Sequence, residues 1–131
     1  MENGTISDSR ITASSKQSIS TPAKNGRLNY TSGSSWCAGT SDTNPYLQID
    51  LQTLHIICAV STQGNSQGDQ WVTNYTLKSS LDGSSWIDYE EAGRVKVHAC
   101  SNQSIGFLLF CRSDYATCTC MAKFLNLCVA L

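Results

Sequence analysis

The first hundred positions alternate between short apolar segments and polar loops. Residues 46–51 (YLQIDL) follow a two-residue period that places Leu47, Ile49 and Leu51 on one face of a strand. The continuous apolar run at residues 55–61 predicts a second strand that is covered on both faces. Both segments are typical of a compact antiparallel β domain.

Further strands are predicted on either side of a tight turn. Residues 71–79 alternate, with Tyr75 and Leu77 on the same face. Asp82-Gly83 is a strong turn signal, and residues 86–89 supply the returning strand. No helical periodicity precedes the cysteine-rich end of the chain, so the pattern predicts an all-β fold.

Two long polar segments interrupt these strands. Residues 15–35 are rich in Ser, Thr, Asn and Gly, and they follow a short edge strand whose predicted inward residue is Ile11. Residues 62–70 (TQGNSQGDQ) contain two glycines, which permit backbone angles that other residues avoid. Long loops in compact domains are usually functional or disordered, so these segments are the first place to look for a site.

Composition narrows the class of partner. The chain has 131 residues, a formal net charge of −1 and 15% charged residues. A charge this close to zero argues against nucleic acid or an acidic membrane as a partner attracted by bulk electrostatics. We expect no signal peptide at the start and no membrane span, because no apolar run reaches the ~18 residues that a span needs.

The last part of the chain differs in character. Residues 98–131 hold five of the seven cysteines and two apolar bursts, at 105–110 and 124–131. The second burst fits either a short helix or a strand. An odd cysteine count leaves at least one thiol unpaired or bonded outside the chain. Four N-x-S/T sequences are predicted glycosylation acceptors and support secretion, at Asn3, Asn29, Asn74 and Asn102.

Several segments together resemble the discoidin family, the coagulation factor V/VIII type C domain. The matching residues are 6–15 (ISDSRITASS), 23–29 (AKNGRLN), Trp36, 46–51 (YLQIDL), 60–64 (VSTQG), Trp71-Val72, Tyr75 and 81–86 (LDGSSW). The resemblance implies a distorted jelly-roll β-barrel or sandwich of the galactose-binding-like type. It also implies an extracellular recognition and adhesion module, not an enzyme.

The resemblance ends at Val97. The family places a cysteine just before its first strand and continues past this point with closing strands, and neither feature is found here. We therefore predict a discoidin domain over residues 1–97 that lacks its closing strands, and a non-family, Cys-rich apolar tail over 98–131. The fold is then expected to be incomplete, and the alternative function is a truncated splice-type product without independent ligand binding.

The family binds ligands through loops at one end of the barrel. The resemblance places candidate ligand-binding residues in the corresponding loops here, at Gln17, Ser18, Ile19, Asp42, Asn65, Gln67 and Asp69. The predicted ligand is a glycan, a matrix protein or another extracellular or cell-surface protein. Lipid binding is disfavoured because Ile19 alone cannot anchor a bilayer. Asp42 and Asp69 are the candidates for a Ca²⁺ site, and no other cofactor is predicted.

Other residues receive structural interpretations. Family members carry cysteines matching Cys37 and Cys58, which favours a disulfide between them over two buried thiols. Trp71, Trp86 and Tyr75 are expected in the core rather than on a ligand platform. The resemblance implies an ion pair between Arg27 and Asp50. No catalytic sequence pattern is found. The domain is expected outside the cell or on its surface as part of a parent protein.

Overall fold

The computed structural model describes residues 5–65, 67–68, 70–99, 108–110 and 120–130. Within these ranges the regular structure is β-strand, apart from two short 3-10 turns at Asp8–Arg10 and Ala23–Gly26. The same part of the chain has no helix of the length and apolarity that would cross a membrane. The all-β prediction is confirmed.

Six strands form one antiparallel sheet. Five of them lie in the order β1 (Ile11–Ala13), β2 (Tyr46–Ile57), β10 (Cys120–Ala130), β4 (Asn74–Ser80) and β5 (Ile87–Asp88), and β8 (His98–Ala99) also pairs with β4. Two small sheets accompany it. One pairs β3 (Ala59–Ser61) with β9 (Leu108–Phe110), and the other pairs β6 (Glu90–Glu91) with β7 (Arg94–Val95).

The core lies on one face of the large sheet. Leu47 and Ile49 are each 1% exposed, and Leu51, Ile11 and Tyr75 are buried with them. Alternate residues of a strand point to the same side, so the two-residue period predicted this face correctly. The core also explains a nearby glycine: a Cβ atom on Gly26 would lie 2.6 Å from Cδ2 of Leu47.

The prediction that residues 55–61 form a strand covered on both faces is wrong. Strand β2 instead runs on through Gln52, whose φ of 68° marks an irregularity. Because the two-residue period continues beyond it, Leu54 and Ile56 point away from the core and are 52% and 43% exposed. Ile57, on the other side of the strand, packs against the core cluster.

The predicted turn at Asp82-Gly83 is confirmed. Gly83 has a φ of 79°, in the left-handed region that glycine tolerates. Oδ1 of Asp82 accepts hydrogen bonds from the backbone N–H groups of Ser84 and Ser85, each at 2.8 Å. The chain then returns as β5, which pairs with β4.

The cysteine-rich end of the chain contributes the strand at the centre of the large sheet. Strand β10 lies between β2 and β4, with Leu125 opposite both Ile49 and Ser79. Ala122 and Leu125 are buried. The ambiguity over residues 124–131 is thus resolved in favour of a strand for the described part. The division into a family domain and a tail at residue 97 stays a prediction, because strand pairing does not reveal the origin of a segment.

The disulfide predicted between Cys37 and Cys58 is wrong. Cys37 is a free thiol, whereas Cys58 is disulfide-bonded. Cys37 lies in a loop near Pro45, at the start of the 12-residue strand β2, and Cys58 follows the end of that strand. A strand of this length rises about 35 Å or more, far beyond the reach of a disulfide.

The ion pair predicted between Arg27 and Asp50 is also wrong. Asp50 is paired with Arg10 at 2.5 Å, and Arg27 is paired with Asp8 at 2.8 Å. Arg10 directly precedes β1, which is hydrogen-bonded to β2 beside Asp50, so the strand pairing selects the partner.

Candidate functional site

A cavity of about 470 Å³ opens between three loops at one end of the sheet. We define the first loop as residues 14–22, the second as 34–45 and the third as 62–73. Their contributions to the lining are Gln17 and Thr21; Ser34, Ser35, Trp36, Cys37, Ala38, Gly39, Thr40, Asp42 and Pro45; and Asn65, Gln70, Trp71, Val72 and Thr73. The three loops overlap the segments in which ligand-binding residues are predicted.

Aromatic side chains give the cavity an apolar side. Trp36 is almost fully buried, and its indole N–H donates to the carbonyl oxygen of Ser15 at 2.9 Å. Trp71 remains 37% exposed, so part of its ring is available to a ligand. The prediction that Trp71 lies in the core is therefore wrong, whereas Tyr75 is in the core as expected.

The first and second loops are joined by hydrogen bonds that converge on Ser15 and Asp42. The hydroxyls of Ser14 (2.6 Å) and Ser15 both donate to Oδ2 of Asp42. Oγ of Ser15 also accepts from the backbone N–H of Gly39 at 2.9 Å. These bonds fix the wall of the cavity between the two loops.

The third loop is organised by Asn65. Its Oδ1 accepts from the N–H of Gln67 at 3.1 Å and from the N–H of Ser35, in the second loop, at 3.4 Å. Its backbone N–H donates to the carbonyl of Gln70 at 3.1 Å. Asn65 therefore shapes the third loop and connects it to the second loop.

The charge in the cavity is low. Among the described residues, Asp42 is the single acidic or basic side chain in its lining. Hydrogen bonds from the hydroxyls of Ser14 and Ser15 hold the pKa of Asp42 below its ordinary value of 3.8. The carboxylate is thus ionised at neutral pH, but donors of the protein already engage it.

The structure separates the seven predicted ligand residues into three groups. Gln17, Asp42 and Asn65 line the cavity. Ser18, Ile19 and Gln67 do not, and Ile19 is 88% exposed on the outer tip of the first loop. Asp69 lies outside the described residues.

Among the cavity residues that sequence reasoning missed are Trp71, Gln70 and Thr73. All three lie where the third loop leads into β4. A tryptophan directly after a Gly- and Gln-rich loop was the available signal, but the alternation of residues 71–79 favoured the core.

The structure describes some, but not all, of the residues predicted to bind Ca²⁺ or to carry N-linked glycans. In the described part of the chain, no three His, Cys, Asp or Glu side chains are grouped to hold a metal ion. The Ca²⁺ site at Asp42 and Asp69 stays a prediction. Asn29 is exposed and Asn74 begins β4, while Asn3 and Asn102 lie outside the described residues.

A family model, described as the F5/8 type C domain, matches residues 10–106 of the chain. The chain belongs to this family. The resemblance noted from the sequence is confirmed, and the match extends nine residues beyond the end at Val97 that we had predicted (106 against 97).

Relatives of this F5/8 type C domain are much longer proteins. The chain is 39% identical over 98 residues to the human epithelial discoidin domain-containing receptor 1, covering 70% of this chain and 11% of the receptor. It is 37% identical over 73 residues to a Discoidin-1 polypeptide of Dictyostelium discoideum, covering 55% and 29%. Human neuropilin-1 is 34% identical over 98 residues, covering 72% and 10%. The chain thus spans a small part of each relative.

Solved structures confirm the discoidin-type, galactose-binding-like fold. Discoidin II of Dictyostelium discoideum superposes with a TM-score of 0.73 at 22% identity, covering 91% of this chain and 48% of that one. A Clostridium perfringens module, CpGH89CBM32-5, in complex with GalNAc-β-1,3-galactose superposes with a TM-score of 0.63 at 13% identity, covering 96% and 88%. At these identities the likeness concerns the fold alone.

Proposed function

We propose that this F5/8 type C domain is a non-enzymatic recognition module that binds the terminal sugars of a glycan in the cavity between its three loops. The observation that carries the proposal is the half-exposed ring of Trp71 beside uncharged hydrogen-bonding groups in one cavity. We place the module outside the cell or on its surface, within a larger parent protein. The four N-x-S/T sequences and the receptor relatives support that location.

The chemistry of the lining suits a sugar. A pyranose ring has an apolar C–H face that can lie against an indole, and hydroxyls around its edge that need both donors and acceptors. Trp71 offers the apolar surface. The side-chain amides of Gln17 and Gln70 and the hydroxyl of Thr73 offer both kinds of polar group.

The size and charge of the cavity favour a small neutral ligand. Clefts for small molecules usually enclose about 300–1,000 Å³, and the cavity here encloses about 470 Å³. A protein partner would bury roughly 800 Å² on each side, which a cleft of this kind does not provide by itself. A matrix protein is therefore the second choice, and a neutral mono- or disaccharide is the first.

The solved structures offer a specific sugar to test. CpGH89CBM32-5 was determined with GalNAc-β-1,3-galactose, and the family 32 module of NanJ, also from Clostridium perfringens, with galactose (TM-score 0.56, 15% identity). We therefore propose galactose-type sugars as the ligand class for this chain.

Calorimetric titration with GalNAc-β-1,3-galactose tests the proposal. We expect Trp71→Ala to weaken the affinity at least tenfold, because an aromatic contact and its buried area are lost. Ile19→Ala is the matched control, since it removes an exposed apolar side chain that does not line the cavity. Equal binding by both variants, or no glycan bound by the folded chain, would contradict the proposal.

The alternative function, a truncated product without ligand binding, predicts a different melting behaviour. The central position of β10 between β2 and β4 favours a complete cooperative sheet. Circular dichroism of the full chain should show a single β-type melting transition. A gradual, aggregating transition would favour the truncated product.

A further inference from the structure

The hydrogen bonds between the first and second loops are concentrated at one end of the first loop. In the part of the chain that the structure describes, they all join residues 14–17 to residues 36–42. Besides the bonds of Ser15, the N–H of Gln17 donates to the carbonyl of Cys37 at 2.8 Å. We call these hydrogen bonds between residues 14–17 and residues 36–42 the clasp. The clasp lies near the end of β1.

The outer half of the first loop is bonded to itself and to Asn25. The N–H of Ser18 donates to Oγ1 of Thr21 at 3.1 Å, and the N–H of Ser20 donates to Oγ of Ser18 at 3.2 Å. Nδ2 of the buried Asn25 also donates to the carbonyls of Ser20 at 3.1 Å and of Ser34, in the second loop, at 2.7 Å. Residues 18–21 therefore form a turn that Asn25 holds at its outer end, while the bonds of residues 14–17 hold its base.

We propose that Asp42 is a positioning residue that holds the first loop against the second through the hydroxyls of Ser14 and Ser15, and so sets the width of the cavity. Its role for a bound sugar rests on the proposed function, but the closure of the loops does not. This role differs from the direct ligand contact and the Ca²⁺ coordination predicted from the sequence.

The occupancy of the carboxylate supports this role. Oδ2 of Asp42 accepts two hydroxyls from the first loop, and Oδ1 accepts the N–H of Asn44 at 3.0 Å. A carboxylate has about four lone-pair sites, so three are already engaged. Bonds from donors to an ionised acceptor are also stronger than neutral ones.

The free thiol of Cys37 reports on the clasp without any ligand. Cys37 lines the cavity, and its carbonyl accepts from the first loop. Loosening of the loop should expose this thiol to iodoacetamide. We expect Asp42→Asn to raise the rate of alkylation at Cys37 roughly tenfold, because the variant loses a charge-assisted hydrogen bond. Peptide mass spectrometry measures this rate.

Asp82→Asn is the matched control. Oδ1 of Asp82 accepts from the hydroxyl of Ser80 at 3.0 Å and from two backbone N–H groups, but all within one turn away from the cavity. This variant should leave the rate at Cys37 within twofold of the wild type. A similar increase in both variants would indicate general loosening and would overturn the proposal.

A double-mutant cycle tests whether Asp42 acts through Ser15. Ser15→Ala should raise the rate at Cys37 as Asp42→Asn does, and the double variant should be no faster than either. If the rate increases of the two single variants multiply in the double variant, the proposal is overturned. If the melting transition shows that Asp42→Asn does not fold, Ser14→Ala replaces it and should raise the rate at least twofold. This variant removes one hydroxyl donor to Asp42 and also the acceptor of the Tyr46 N–H. An unchanged rate in a folded variant would also overturn the proposal.

The two proposals fail in different ways. Trp71→Ala should weaken sugar binding at least tenfold without changing the rate at Cys37, while Asp42→Asn should change both. If no sugar binds but the thiol rates follow the expected order, the clasp stands and the glycan proposal falls. If sugar binds and Asp42→Asn changes neither quantity, the clasp is wrong.

Discussion

The sheet and the three-loop end of this domain are held together by different interactions. In the sheet, apolar side chains such as Leu47, Ile49 and Leu125 are almost fully buried between paired strands. At the loop end, hydrogen bonds of Ser15, Asp42 and other polar groups join segments that have no ladder between them. Stability should therefore depend mainly on the sheet, and the shape of the cavity on a few polar contacts.

The largest expected effect tests the sheet. Leu47→Ala should lower the free energy of unfolding by about 2–5 kcal/mol, because it leaves a cavity beside Gly26 in a tightly packed core. Urea denaturation followed by circular dichroism measures the change. Ile87→Ala, at a residue 70% exposed, should change it by less than about 0.5 kcal/mol. Comparable losses in both variants would refute the assignment of the core.

The next largest effect tests how much a buried polar residue at the loop end contributes to the free energy of unfolding. Asn25 is buried, and its Nδ2 donates to the carbonyls of Ser34 (2.7 Å) and Ser20 (3.1 Å). Asn25→Ala should cost about 1–3 kcal/mol, since both carbonyls lose a donor. The same urea experiment measures it. If Asn25→Ala lowers the free energy of unfolding as much as Leu47→Ala does, the sheet does not dominate stability over the three-loop end.

A smaller effect concerns pH. Burial lowers the pKa of His98 below its ordinary value of 6.5, as does the charge of Lys96, while Glu91 opposes the shift. The ring stacks on Tyr75 at 4.9 Å and on Tyr89 at 6.1 Å. Its buried Nε2 has no hydrogen-bond partner among the described residues.

The sign of the pH effect follows from the lowered pKa of His98. Between the folded-state pKa and 6.5, the unfolded chain binds more protons, so stability falls as pH is lowered through this window. Thermal melts of the wild type should shift downward from pH 7.5 to pH 5.5. His98→Phe keeps a stacked ring and should reduce this shift. An identical pH slope in the variant would exclude His98 as its source.

The smallest effect concerns the two described thiol environments. Without reduction, iodoacetamide should label Cys37 in the loop end but not Cys58 at the end of β2, because Cys58 is disulfide-bonded. Mass spectrometry of the labelled peptides measures this. Labelled Cys58, or a Cys37–Cys58 cross-link, would contradict the structure.

Much of the sheet could be predicted from the sequence, but less of the site. The period at Leu47, Ile49 and Leu51 identified the buried face, and Asp82-Gly83 identified a turn, because both signals are local. The family segments located the three loops. Of the predicted ligand residues, Gln17, Asp42 and Asn65 line the cavity.

The exposure of Trp71 and the hydrogen bonds to Asp42 could not be predicted from the sequence. The period places Trp71 on the core side, but its exposure depends on how the third loop leaves the sheet. Asp42 is engaged by serines 27 and 28 residues away in the sequence. No local pattern encodes such a contact, because the pairing of β1 with β2 is what brings the two segments together.

The sequence by itself determined the class of fold, the family, and the buried face at residues 47–51 and 75–77. Tertiary structure alone decided that residues 120–130 fill the centre of the sheet, that Asp50 is paired with Arg10, and that Cys37 stays free. The physical reason is the range of the interactions. Side-chain alternation and turn chemistry act over a few residues, whereas strand order, ion pairs and disulfides require segments that are distant in the chain to meet in the folded state.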